Sequence, residues 1–292
     1  MWFLRYGFPL FLSEIRLLIT KPGKAENGLR VGNQISNLMN RTALYYGWKP
    51  DLPDYRDFKY AASRTVLAQL PPKVDLTGNC PPVYDQGELG SCTANAIAGA
   101  FQFELMKQNA TVFMPSRLFI YYNERVIENT VHSDSGAQIR DGMNTVSNTG
   151  VCSEIEWPYV INEFSQKPFA TCYQDALTHL VTSFHSVNRD INQMKGCLAE
   201  GYPFVLGFTV YQAFESQQVA QSGVLNLPQS GEAVMGGHAV LAVGYDDSQS
   251  RFIIRNSWGS DWGTSGYFTM PYDYLLNENL SSDFWTIRLV AQ

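Results

Sequence analysis

Cys92 stands in Gln86-Gly87-Glu88-Leu89-Gly90-Ser91-Cys92-Thr93-Ala94-Asn95, behind a glycine-bearing turn and directly ahead of a run rich in helix formers. A thiol at a helix N-terminus faces unpaired backbone N–H groups and the positive end of the helix dipole. Both favour the thiolate, the nucleophilic form. Gln86, earlier in the same turn, can return a side-chain amide to this point as a hydrogen-bond donor. A cysteine alone carries no such conclusion, because buried free cysteines commonly only fill space. Two later stretches supply partners. Gly236-Gly237-His238-Ala239-Val240 places a histidine 146 residues beyond Cys92, and Asn256-Ser257-Trp258-Gly259-Ser260-Asp261-Trp262-Gly263 begins 164 residues beyond it. A histidine beside a thiol can hold a thiolate–imidazolium pair near neutral pH, which permits attack on an amide carbonyl without a stronger base.

These residues need elements to bring them together. The run 94–106 is apolar on most sides and predicts a buried helix starting near Cys92. A second helix is expected over 115–125 with Ser116 as its cap, and a third over 140–148, ended by Gly150. Beyond Cys172 the pattern changes to short strands at 180–187, 204–210, 239–245, 251–255 and 266–270, with one helix over 191–200 closed by Gly201. His238 then begins one strand and Asn256 closes the next, and adjacent antiparallel strands would join the two side chains. The expected class is α+β. A helical lobe, 74–175, supplies Cys92, a β-rich lobe, 176–292, supplies His238 and Asn256, and a cleft lies between them.

Gln86, Cys92, His238 and Asn256, with Trp258 and Trp262 in an Asn-Ser-Trp-Gly-x-x-Trp-Gly frame, resemble the papain family of cysteine peptidases over roughly residues 74–292. The resemblance implies a papain-like two-lobed fold, with a helical lobe and an antiparallel, β-barrel-like lobe, and a cysteine endopeptidase that works through a thioester acyl-enzyme. It implies Cys92 as nucleophile, His238 as its proton partner and Asn256 as the residue that orients the imidazole. The Cys92 N–H and Gln86 would receive the oxyanion, and Trp258 would cover the His238–Asn256 hydrogen bond. Gly136, Ala137, Gln138 and Ile139 sit where the family binds substrate backbone, and Gly237, Ala239 and Trp258 are expected to complete the walls. The family default is a hydrophobic second subsite. Thr93, Leu89 and Ala137 depart from the family pattern, standing where an aromatic residue, a disulfide cysteine and a glycine are usual. Two other readings are a papain-fold binding protein without activity and a Cys-His acyl or transglutaminyl transferase. The intact four-residue set argues against the first and the double-tryptophan frame against the second.

The remaining features bound the partners. Charged residues make up 16% of the 292, and the net charge is −6, so no basic stripe argues for nucleic acid. The apolar N-terminus is interrupted by Arg5, Glu14 and Arg16 and reads as an amphipathic piece, not a stable membrane span. Residues 1–73 are expected to be an inhibitory pro-segment, and its strip 45–58, aromatic and punctuated by prolines, is expected to lie on or near the cleft. That architecture suits a monomer made as a zymogen for a secreted, lysosome-like or packaged compartment, with a polypeptide substrate. Of the other cysteines, Cys152 and Cys172 are the first choice for a bridge, although four thiols allow three full pairings. His132, His179 and His185 lack companions at ligand spacing, so neither metal nor cofactor is expected.

Overall fold

The computed structural model describes residues 46–291. The amphipathic N-terminal stretch and the expected pro-segment up to residue 45 lie outside the described residues. From the N-terminal side run strand β1 (Trp48–Lys49), helix α1 (Arg64–Ala68), strand β2 (Lys73–Asp75) and helices α2 (Cys92–Lys107) and α3 (Arg117–Ile127). Strand β3 (Ala137–Gln138) leads into α4 (Ile139–Asn148), followed by α5 (Ala170–Ala176), β4 (Val181–Ser186), α6 (Ile191–Ala199), β5 (Phe204–Tyr211) and α7 (Gln217–Ser222). The long β6 (Val234–Asp246), β7 (Arg251–Arg255), β8 (Tyr267–Pro271), α8 (Tyr272–Leu276) and β9 (Ser281–Val290) complete the chain.

Fourteen of the sixteen residues of α2 are buried, as an all-round apolar helix requires. Helices α3 and α4 pack on it. The Ser116 hydroxyl accepts from Phe119 N at 3.1 Å to cap α3, and the Asp190 carboxylate accepts from Asn192 N and Gln193 N to cap α6. The strands form a seven-stranded antiparallel sheet in the order β4-β9-β5-β6-β7-β8, with β2 paired to β6. Alternation along β6 divides the core in two. Ala239, Leu241 and Val243 face the core built around α2, whereas Val240 and Ala242 enter a second core with Phe204, Phe208, Phe214 and Phe268. The architecture is α+β, and no helix among the described residues is long and apolar enough to cross a membrane.

His238 does not begin its strand. β6 starts four residues earlier, at Val234, because Val234, Gly236 and Gly237 pair with β5 and set His238 opposite Phe208. Asn256 follows directly on β7, which pairs antiparallel with β6, so the two residues are brought side by side.

Candidate active site

Cys92 is the first residue of α2, and the turn before it is fastened from several sides. Asn95 Nδ2 donates to Ser91 O at 2.9 Å, and the Tyr159 hydroxyl lies 2.5 Å from Ser91 Oγ while donating to Gln86 O at 2.9 Å. Arg117, in α3, donates to Asp85 O and Asn95 Oδ1, pairs with Glu154 at 2.6 Å and lies over the Tyr159 ring. Gln86 is buried, with Oε1 accepting from Ser257 Oγ at 2.7 Å and Nε2 donating to Leu89 O at 2.9 Å. The Leu89 carbonyl, which can only accept, fixes which end of the amide is the donor, and one of the two Nε2 hydrogens remains for another acceptor.

His238 Nε2 and Asn256 Oδ1 are 2.8 Å apart. Asn256 Oδ1 also accepts from Ser257 N at 2.8 Å, which orients the amide, so Nε2 of His238 carries the proton and Nδ1 is the basic nitrogen. Among the described residues Nδ1 has no hydrogen-bond partner. Trp258 stacks on the imidazole, with ring centroids 5.1 Å apart at 29°, and Phe208 and Phe214 close its other sides. The backbone N–H of the next residue, Ala239, lies close enough to the Cys92 sulfur to favour its thiolate. Gln86, Cys92, His238 and Asn256 therefore converge on one point from the turn before α2, from β6 and from the residue after β7.

That point is covered by the chain's own N-terminal strip. β1 runs parallel to β3, with Trp48 opposite Ala137 and Lys49 opposite Gln138. The Gly47 N–H lies close enough to the Cys92 sulfur to favour its thiolate, and the Gly47 carbonyl accepts from Ala137 N at 2.7 Å. No side chain fits at position 47, where a Cβ would come within 1.7 Å of Gly90 O. Gly136, at φ +68°, yields space in turn, since a Cβ there would sit 2.0 Å from Gly47 O. Trp48 lies against the Cα atoms of Gly207 and Gly237, and its indole N–H donates to Asp283 at 2.9 Å. The Tyr46 ring meets His238 and Trp258 at 5.9 and 6.3 Å. Beyond β1, Asp51 accepts from Trp285 Nε1 and Arg140 N, and its own N–H donates to Asp283.

Burial sets the protonation states. It pushes the Cys92 thiol up to about 12, against N–H donation from Ala239, Gly47 and Thr93, and it pushes His238 down to about 4, against the Asn256 hydrogen bond. In the closed site burial thus favours the neutral thiol and the neutral imidazole.

Of the expected subsite residues, Gly136, Ala137 and Gln138 form the edge that receives β1, and Gly237, Ala239 and Trp258 form the facing wall. Ile139 does not join them, because as the first residue of α4 it points into the α2 core and is fully buried. Tyr46, Gly47, Asp51 and Asp283 line the closed site, and the sequence does not single them out as site residues. The available signal was the isolated Gly47 between aromatics, a mark of close backbone approach. Away from the cleft, the Cys152 and Cys172 thiols lie within 4.8 Å of each other and of the Glu156 carboxylate, and no histidine joins that group.

Comparison with known proteins gives a consistent picture. The model of a family described as papain family cysteine protease matches residues 70–281. An uncharacterised peptidase C1-like protein of Acanthamoeba polyphaga mimivirus is 48% identical over 216 residues, which is 71% of this chain and 70% of that protein. Among solved structures, xylellain, a cysteine protease from Xylella fastidiosa, is similar with a TM-score of 0.80 and 49% identity over 83% of this chain and 95% of its own. A procathepsin B of Trypanosoma congolense shares the fold, with a TM-score of 0.69 at 18% identity over 92% of this chain and 99% of its own.

Proposed function

The chain belongs to the papain family of cysteine proteases, and from that premise we propose that Cys92 attacks the carbonyl carbon of a polypeptide while His238 Nδ1 takes the thiol proton. The oxyanion is received by Cys92 N–H and the remaining Nε2 hydrogen of Gln86. The imidazolium, held in orientation by Asn256, passes its proton to the departing amine as the C–N bond breaks, leaving a thioester on Cys92. Water then attacks the thioester with His238 as base, the thiol leaves with the proton returned, and the acid product departs.

In this reading the protein is a monomeric endopeptidase made as a zymogen, and residues 1–73 restrain it. The observation that carries the reading is the pairing of β1 with β3, in which the Gly47 carbonyl accepts from Ala137 N while the Gly47 N–H lies close to the Cys92 sulfur. A chain seated there takes both the nucleophile and the peptide-binding edge from any substrate. Its removal readmits water, which lets the thiol fall and the imidazole rise toward an ion pair. Tethering makes weak contacts sufficient, because the segment binds at high effective concentration.

The test compares the full-length protein with the same protein folded and then nicked between residues 61 and 72, ahead of the paired strand β2. The substrate is a fluorogenic peptide, and a thiol-reactive epoxide labels Cys92. The nicked form should be at least about tenfold faster, and Cys92→Ala should abolish turnover in both. Equal rates would make the segment a structural arm. Labelling of Cys92 with no cleavage by either form would instead favour a binding or transfer role.

A further inference from the structure

Strand alternation sends consecutive side chains of β1 to opposite walls of the cleft. Trp48 meets Gly207, Gly237 and Asp283 on the sheet side, whereas Lys49 turns to the helical side, where its ammonium lies 2.7 Å from Glu128 Oε2. Glu128 follows the last residue of α3, and its other oxygen accepts from Gln138 N at 2.8 Å. The carboxylate is thus held by the same edge that pairs with β1. Its side chain is 9% exposed, against 38% for Lys49, so the anion belongs to the body of the protein and the cation is the removable partner.

A carboxylate is poorly placed there on structural grounds. The C-terminal end of a helix presents unpaired carbonyls and favours cations. Asp141, half-buried in the first turn of α4, adds to the local negative character; its carboxyl is raised first by burial and then by Glu128. In the body of the protein the Arg125 guanidinium is committed to the carbonyls of Val131 and Ser133. Among the described residues the ion pair of Glu128 is with Lys49. When the segment leaves, Glu128 loses that cation.

We propose that Glu128 is the selecting wall of a subsite for a lysine or arginine side chain, carried two residues along the bound peptide from the one over Cys92, and that Lys49 fills it in the closed state. The proposal rests on the peptidase reading given above. It names the substrate class that the reading leaves open, a peptide with a basic residue at that position.

The test has two arms on the full-length protein, folded and then nicked. In the first, tripeptide fluorogenic substrates differ only at the third residue from the scissile bond, which is Lys, Arg, Gln or Glu. Lys and Arg should exceed Gln in kcat/KM by about five- to tenfold, as a part-buried charged hydrogen bond gives. Glu should fall below Gln, and Glu128→Gln should bring the Lys-to-Gln ratio to about one. Glutamine keeps an acceptor for Gln138 N, and the thermal midpoint checks that the variant is folded. In the second arm, synthetic peptide 46–58 and its Lys49→Met form are titrated into the nicked Cys92→Ala protein. Lys49→Met should weaken binding by a similar factor, and that factor should vanish in the protein that also carries Glu128→Gln. A basic preference that persists undiminished in Glu128→Gln, or equal binding of the two peptides to the Glu128 protein, overturns the proposal. Absence of cleavage with the peptide discrimination intact would overturn the peptidase reading and leave the subsite standing.

Discussion

Glu124 is a fully buried carboxyl on α3 whose Oε2 accepts from the hydroxyl of Thr93, the residue after the nucleophile. Thr93 replaces the family's aromatic residue, and the hydroxyl gives the buried acid a partner. Burial pushes Glu124 up to about 8, against the Thr93 bond. A raised carboxyl contributes stability below its ordinary value near 4.3, and that contribution is lost as pH rises through the folded value, here between about 4 and 8. Glu124→Gln removes this loss, so thermal melts at pH 5 and 8 should show a smaller decline in the variant than in the parent, by up to about 4 kcal/mol. An equal decline would mean that Glu124 is ionised and compensated. At Gln86 the expected effect is on rate. Gln86→Ala should lower kcat by roughly ten- to a thousand-fold with little change in KM, because the lost donor acts on the oxyanion; a change confined to KM would place Gln86 in ground-state binding instead.

At the scale of elements, β1 is two residues long and could not stand alone; its place depends on glycines at 47 and 136 that let three backbones approach. Gly47→Ala should therefore expel the strip from the cleft without touching the catalytic groups. The full-length variant should show at least about tenfold more activity than the full-length parent, because a Cβ overlapping backbone cannot be relieved by a rotamer change. Unchanged latency, read as the ratio of full-length to nicked rates, would show that β1 is not the restraint. β2 has the opposite character. Lys73–Asp75 pair with β6, and Lys73 forms an ion pair with Asp246 at 3.1 Å, so a cut intended to free the cleft belongs upstream of this strand.

For the molecule as a whole, closure responds to pH through two groups of opposite sign. Burial, then Asp283, raise Asp51 to about 7, against Arg140 and Trp285. Closure therefore strengthens as pH falls from about 7 toward the ordinary carboxylate value. His238 is depressed to about 4, so its contribution is present above its ordinary value near 6.5 and is lost as pH falls through 4. The two oppose one another, so acid alone should release little activity. Asp51→Asn removes the strengthening term. The full-length variant, normalised at each pH to its nicked form, should gain activity between pH 6 and 4.5, while the parent stays nearly flat. A parent that opens steeply in this range would show that the Asp51–Asp283 clamp does not hold the closed state.

What the sequence determined was local or carried by spacing. The thiol at the head of α2, the Ser116 cap and histidine and asparagine on neighbouring strands follow from helix and strand periods and short motifs, which depend on nearby residues. The aromatic strip could be read as lying near a groove, because prolines and rings suit an extended, surface-bound chain. Tertiary structure alone decided which backbone touches the sulfur and that Ile139 turns into the core. It also decided that Asp51 meets Asp283, 232 residues away, and that Lys49 meets Glu128, 79 residues away. The protonation state of the site belongs to the same class. A thiol pKa depends on which segment excludes water from it, and neither the composition nor the spacing of Cys92 and His238 contains that information.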